Sequence, residues 1–206
     1  MPQDSPLRIV LASGSPRRAE LARAEGWDLE IMPPPEAAEA EADPRAAGES
    51  LEAFVTRLAV AKAAAVAAAG ATGLILACDT LSEVDSLPLG KPTDETDARR
   101  MLEALSGRHH RVVSGVCLWR IDAAGGSAEH RTGHAESQLF MPPLDAGFIT
   151  RYLATGLWRG KAGACGFQDG HVPLELVAGS PSNVVGLPLE LVRELLASPS
   201  SARVDE

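Results

Sequence analysis

The stretch Leu11-Ala12-Ser13-Gly14-Ser15-Pro16-Arg17-Arg18 decides how the whole chain is read. It follows a short apolar run, Leu7 to Ala12, that predicts an N-terminal strand. Pro16 suits the first turn of a helix, where a missing N–H forfeits no intrahelical bond. Ser15 is then the natural N-cap, and Ser13-Gly14-Ser15 becomes a strand-to-helix turn. Unclaimed backbone N–H groups and the positive end of the helix dipole converge at such a turn. Arg17 and Arg18 add fixed charge and flat, bidentate donors that match phosphate oxygens. The stretch therefore predicts a seat for a phosphate chain. The competing reading is a capped surface helix with its arginines in water.

Working outward, the 206 residues suffice for one domain or for two lobes around a cleft. We read residues 1–206 as one domain with an ordered core over about 7–197 and a frayed tail from 198 to 206. The net charge of −9 argues against nonspecific binding of nucleic acid, which needs a broad basic surface, but leaves room for a small basic pocket. No apolar run approaches the roughly 20 residues that span a bilayer, so no membrane partner is expected. Met1-Pro2-Gln3-Asp4-Ser5 lacks the basic start and apolar core of a signal peptide. Cys78, Cys117 and Cys165 are odd in number and scattered, which suits reduced thiols, so a cytoplasmic location is expected. Of 19 basic residues only Lys62, Lys91 and Lys161 are lysines. A position that keeps lysine in an arginine-biased chain points to a need for a compact ammonium on a flexible stem.

The rest of the chain predicts an α/β fold of mixed order, not a regular βαβ alternation. A helix from about Pro16 to Glu25 leads to a strand, Trp27 to Met32, and then to an acidic loop carrying Glu36, Glu39 and Glu41. Ser50 caps a long helix ending near Gly70, with Leu51, Phe54, Val55 and Leu58 as its apolar stripe. Lys62 falls on that stripe, either snorkelling past the core or aimed into a site. A short strand, Leu74 to Cys78, ends at Asp79-Thr80, with further extended pieces at Leu81–Val84 and Leu87–Leu89 around a turn at Asp85-Ser86. Thr93 caps the next helix, Asp94 to Leu105. Two long antiparallel segments, about His109 to Ile121 and Glu129 to Phe140, join through the turn at 123–126, with His109-His110 starting the first on a solvated edge. A helix from Leu144 to Thr155, an irregular glycine-rich loop from Gly160 to Gly170, a strand near Val172–Val177, a turn at Gly179-Ser180-Pro181 and a helix from Leu187 to Ala197 complete it. Trp119 and Trp158 read as core or interface residues.

Several residues could carry chemistry. Asp79 at the carboxyl end of a strand lies where ligands collect in open α/β sheets, and a carboxylate there can hold Mg²⁺ or accept a proton from water. The plainer reading is a turn start. Lys91 in Leu89-Gly90-Lys91-Pro92 is either a phosphate contact or a solvated loop lysine. Lys161-Ala162-Gly163-Ala164-Cys165-Gly166-Phe167-Gln168 offers close backbone approach, a cation, and an amide suited to a base edge. His130 and His134 have a metal-like interval but lack further ligands, so zinc is not expected.

In this order and spacing the motifs closely resemble the Maf family of nucleoside triphosphate pyrophosphatases. Ser13 through Arg18 resembles the family's Ser-x-Ser-Pro-Arg-Arg opening. Arg57 to Lys62 resembles its arginine-to-lysine helix segment, Asp79-Thr80 its Asp-Thr, and Gly90-Lys91-Pro92 its lysine loop. Leu105 to Arg108, Ser114-Gly115-Val116, Lys161 to Gln168 and Asn183 to Pro188 match the later landmarks. Departures are Gly160 where many members have aspartate, Cys165 for tyrosine, and inserted residues near Pro33 to Gly48.

The resemblance implies a mixed, twisted sheet with flanking helices, two lobes around a central cleft, similar to inosine triphosphate pyrophosphatases. It implies hydrolysis of a nucleoside triphosphate to monophosphate and pyrophosphate with Mg²⁺ or Mn²⁺, Asp79 as proton acceptor, and Asp79 with Glu39 as metal ligands; Glu36 is the rival to Glu39. Arg17, Thr80 and Gln168 fall on the base-selectivity positions, in the combination of the dTTP/UTP branch. Ser13, Arg18, Lys62, Lys91 and Lys161 are further substrate-binding candidates, with Arg17, Lys62 and Lys91 read as neutralising the triphosphate and Ser13 as holding phosphate oxygens. A homodimer stays open. Two other classes remain at this point: a nucleotide-binding regulator of cell division with little catalysis, and a nucleotidyltransferase.

Overall fold

The computed structural model describes residues 6–35, 45–122 and 129–198. Glu36, Glu39 and Glu41, the predicted turn at 123–126 and the tail after Ser198 lie outside the described residues.

The sheet is organised by one long strand. β3 (Gly73–Val84) pairs antiparallel with β5 (Arg108–Ile121) from Gly73↔Ile121 to Glu83↔Arg111 without interruption. Along its other edge it has two partners in succession. β1 (Arg8–Leu11) pairs in parallel at Ile75 and Leu76, and β4 (Leu87–Leu89) pairs antiparallel at Ser82 to Val84. Between them, residues 77–81 have no strand partner on that edge among the described residues. β2 (Asp28–Ile31) extends the sheet beyond β1, while β6 (Glu129–Met141) and β7 (Glu175–Ala178) extend it beyond β5, giving the order β2-β1-β3-β5-β6-β7.

This corrects one expectation. Asp79-Thr80 does not end a strand; both residues sit inside a single twelve-residue strand. Continuous pairing with β5 carries the chain through the polar Asp-Thr-x-Ser run, and such long-range pairing overrides local propensity. The turn at Asp85-Ser86 is as predicted: both residues have positive φ (50° and 64°), as a tight hairpin joining β3 to β4 requires.

Two helical layers cover the first half of the sheet. α2 (Leu51–Ala68) buries Leu51, Val55, Ala59, Ala63 and Val66 against Ile75, Ala77, Val113 and Cys117. The buried stripe thus differs from the predicted one, since Phe54 and Leu58 are only half-buried. Small side chains let α2 lie almost on the strand. A Cβ on Gly115 would stand 2.4 Å from the Val55 carbonyl oxygen and the Thr56 nitrogen. At the end of this interface Arg111 joins Glu52, Glu83 and Glu136. On the opposite face α1 (Pro16–Ala24) and α6 (Leu189–Ala197) pack on Leu74, Leu76, Cys78 and Val116.

A second apolar cluster gathers α3 (Glu95–Leu105), α4 (Ala146–Ala154), Val84, Leu89, Trp158 and Val172. Each fully buried large side chain in these clusters is worth about 1.5–3 kcal/mol of transfer free energy. Ser50, Asp94, Asp145 and Ser180 all accept a bond from the third N–H of the helix each starts. Asp94 thus takes the cap predicted for Thr93. Ser180 caps a short helix, α5 (Pro181–Val185), where only a turn is predicted, and α6 starts two residues later than expected.

Candidate active site

The split edge of β3 opens into a cleft of about 640 Å³. Its lining includes Ser13, Arg17, Arg18, Lys62, Asp79, Thr80, Lys91, Lys161 and Gln168, so every predicted site residue within the described chain borders one cavity. All three lysines of the sequence meet there. With Arg159 the described lining carries six cationic side chains against two carboxylates, Asp79 and Asp169. In a chain of net charge −9 this is a concentrated positive site.

Neighbouring strand residues face opposite sides of a sheet, so Asp79 and Thr80 share a cavity only because the edge of β3 is open between β1 and β4. Asp79 faces α2, where the Lys62 ammonium donates to its Oδ1 at 2.5 Å. Both side chains are shielded, 13% and 12% exposed. Lys62 therefore points into the site. Oδ2 of Asp79 has no hydrogen-bond partner among the described residues.

Thr80 faces the other layer. Its hydroxyl lies 2.8 Å from Ser114 Oγ and accepts from Arg18 at 3.1 Å. Arg18 also donates to the Gly186 carbonyl at 2.7 Å and to Ser13 Oγ at 3.3 Å. It ties the Ser13 turn, β3 and the end of α5 into one unit. Ser15 is the N-cap by backbone position, but its hydroxyl makes no capping bond; its own N–H donates to Ser13 Oγ at 3.2 Å. No serine side chain competes with an anion for the first-turn N–H groups of α1. Arg17 is half-buried and donates to the Gly160 carbonyl at 3.4 Å, across the cleft.

The opposite wall is made of loops. Lys91 follows β4, is exposed, and makes no ion pair among the described residues. Lys161, a candidate substrate-binding cation by sequence, is buried and bonded to Asp169 within its own loop. Gln168 lies exposed at the rim. The Gly163 N–H donates to the Gly90 carbonyl at 3.0 Å and so joins the two lysine loops.

Sequence reasoning missed Asp169 and His110. His110 is not on a solvated edge: it lies in the central strand β5, is 7% exposed, and is part of the cleft lining, as are Ser82, Val112 and Leu139. Its Nδ1 is buried without a partner. Burial holds its pKa down to about 4, against the pull of the Arg108 carbonyl. The alternation His110, Val112, Ser114, Val116 along one face was the available signal.

Among the described residues no three His, Cys, Asp or Glu side chains cluster as a metal site, and the His130 ring packs at a tilt against Trp119. Burial pushes the Cys117 and Cys165 thiols up to about 12, so they are not poised as nucleophiles. No described helix is long and apolar enough to cross a membrane.

Comparison with known proteins meets this geometry. The family described as Maf-like protein matches residues 8–199. The chain belongs to the Maf family. Curated relatives of this Maf-family chain include a protein named dTTP/UTP pyrophosphatase from Rhodopirellula baltica, 41% identical over 93% of the chain and 82% of that protein. Another of the same name, from Anaeromyxobacter sp., is 43% identical over 92% of the chain and 88% of its own length. A third, from Alcanivorax borkumensis, is 38% identical over 91% and 93%. Among solved structures, a HAM1 protein from Coxiella burnetii shows a TM-score of 0.44 at 16% identity, covering 93% of the chain and all of that structure's.

Proposed function

We propose that this Maf-family chain hydrolyses pyrimidine nucleoside triphosphates of the dTTP and UTP class to the monophosphate and pyrophosphate. One observation supports the reading: the Asp79 carboxylate stands at an open sheet edge inside a cleft where all three lysines and two helix-borne arginines converge. Phosphoryl chemistry asks for positioning and neutralisation of charge more than for covalent work by the protein. The names of the relatives supply the nucleotide class.

Asp79 accepts a proton from water as the water oxygen attacks the α-phosphorus. The bond from that phosphorus to the bridging oxygen breaks, and pyrophosphate leaves with the electron pair. Lys62 holds Asp79 in place and, with Arg17 and Lys91, offsets charge on the departing group. Ser13 and the first-turn N–H groups of α1 hold phosphate oxygens; Arg18 braces that turn. Arg17, Thr80 and Gln168 discriminate the base. A divalent metal fits the donor chemistry, since such ions are bound through one or two carboxylates plus substrate phosphates and Asp79 keeps one oxygen free. Mg²⁺ or Mn²⁺ on Asp79, with Glu39 or Glu36, would supply Lewis-acid stabilisation of the phosphate oxygens.

The test is pyrophosphate release by the purified chain over dTTP, UTP, CTP, 7-methyl-GTP and 5-methyl-UTP, with Mg²⁺ and with Mn²⁺. Release from dTTP and UTP ahead of 7-methyl-GTP supports the reading. No release from any of the panel ends it.

A further inference from the structure

Thr80 reaches the cleft with its hydrogen-bonding capacity partly spent. It stands opposite Ser114 on the β3–β5 ladder, and the hydroxyl oxygens of the pair lie 2.8 Å apart. Ser114 is fully buried, so its proton has to find an acceptor inside the protein. The Arg18 guanidinium, 3.1 Å from Thr80, can only donate. The Gly186 carbonyl, 3.4 Å from Thr80, and the Asn183 carbonyl, 3.4 Å from Ser114, can only accept.

A carbonyl oxygen has two lone pairs. Those of Gly186 are taken by Arg18 Nε at 2.7 Å and by the Cys78 thiol at 3.1 Å. Asn183 accepts from the Gly186 N–H at 2.9 Å and keeps its other lone pair for Ser114. The donors therefore run one way: Arg18 to Thr80, Thr80 to Ser114, Ser114 to the Asn183 carbonyl. Hydrogen bonds in such a head-to-tail chain reinforce one another. Thr80, half-buried in the cleft lining, is left with a lone pair and no proton to offer a ligand.

We infer that Ser114 is a positioning residue that holds Thr80 as a hydrogen-bond acceptor, so that the site selects a base with a ring N–H. Uracil and thymine carry hydrogen on N3. Cytosine has a bare acceptor there and would meet Thr80 lone pair to lone pair. The inference rests on the reading above that Thr80 discriminates the base; it adds the direction of that contact and the residue that sets it.

The experiment measures equilibrium binding of UMP, dTMP and CMP to wild type, Ser114→Ala and Ser114→Thr in the full chain, with kcat and KM for UTP and inhibition by inorganic tripolyphosphate. In Ser114→Ala the Thr80 proton loses its acceptor and turns into the cleft. UMP and dTMP should weaken about threefold to tenfold, the scale of one hydrogen bond between neutral groups, while CMP tightens. KM for UTP should rise with kcat little changed. Tripolyphosphate, which has no base, should inhibit as before, and Ser114→Thr, which restores a hydroxyl, should return the wild-type preference. The inference is overturned if the ratio of UMP to CMP affinity is the same in wild type and Ser114→Ala. It is overturned equally if UMP, CMP and tripolyphosphate weaken together, as they would for a residue that only supports the fold. Should Ser114→Ala fail to fold, wild type alone decides: 3-methyl-UMP, which lacks the N3 hydrogen, binding as tightly as UMP overturns it. A chain that releases no pyrophosphate but shows the swing from UMP toward CMP loses the hydrolase reading and keeps the role of Ser114.

Discussion

The two walls of the cleft each hold a lysine–carboxylate pair, and the pairs are built differently. Lys62 and Asp79 join a helix to a strand, seventeen residues apart in sequence, across an interface where helix and strand backbones nearly touch. Lys161 and Asp169 are eight residues apart within one loop, whose Gly160, Gly163 and Ala164 adopt positive φ of 69°, 65° and 60°. The first wall is held by burial on both faces of the sheet. The second is anchored by the Tyr152 hydroxyl on the Ala164 carbonyl at 3.0 Å and by the link between Gly163 and Gly90. The difference teaches how each pair is held: the Lys62–Asp79 geometry is fixed by packed regular elements, whereas the Lys161–Asp169 geometry is fixed only by the path of one loop.

The sharpest way to break this comparison is at Asp79. Asp79→Asn should lower kcat about 10²–10⁴-fold, the usual scale for general acid–base catalysis, while UTP binds as tightly or more tightly. Single-turnover kinetics beside equilibrium binding checks both halves. The rigidity of the first wall is probed at Gly115, where any Cβ meets the backbone of α2 at 2.4 Å. Gly115→Ala should cost about 1–3 kcal/mol of stability, read by urea denaturation, with kcat falling as Lys62 shifts with α2.

A milder probe is pH. His110 is depressed to about 4 by burial, so the unfolded chain takes up a proton first as pH falls. The group's stabilisation is present above about 6.5, the ordinary histidine value, and drains away toward pH 4, at no more than about 1.4 kcal/mol per pH unit. Melting curves over that range should show a slope that is shallower in His110→Phe, the remainder coming from carboxylates such as Glu49 and Glu52 that are held below their ordinary values. The smallest effect is expected in the loop wall: Asp169→Asn should raise KM about threefold to tenfold by loosening the loop that carries Gln168, with kcat little changed.

How much of this was legible beforehand depended on whether the deciding contact was local. Pro16 after Ser15, the Ser50 cap and the Asp85-Ser86 turn are short-range events, and each helix or turn lies where its residues predict it. Lys62 was flagged by its place near an apolar face, yet which of its two readings held depended on Asp79 across the interface. Asp169 was invisible because its partner is set by the path of the loop. His110 was misplaced because two adjacent histidines look solvated until the strand is known to be central.

The order of motifs along the chain was enough, without coordinates, to carry the resemblance to the Maf family, while local backbone preference and residue chemistry marked the Ser13–Arg18 turn, Asp79 and the three lysines as candidates with two readings each. Only the tertiary structure decided that β3 runs unbroken through Asp79, that its edge stays open between β1 and β4, and that His110 is buried in a central strand. Those outcomes depend on pairing between strands distant in sequence, and residue-by-residue preferences carry no information about such pairing.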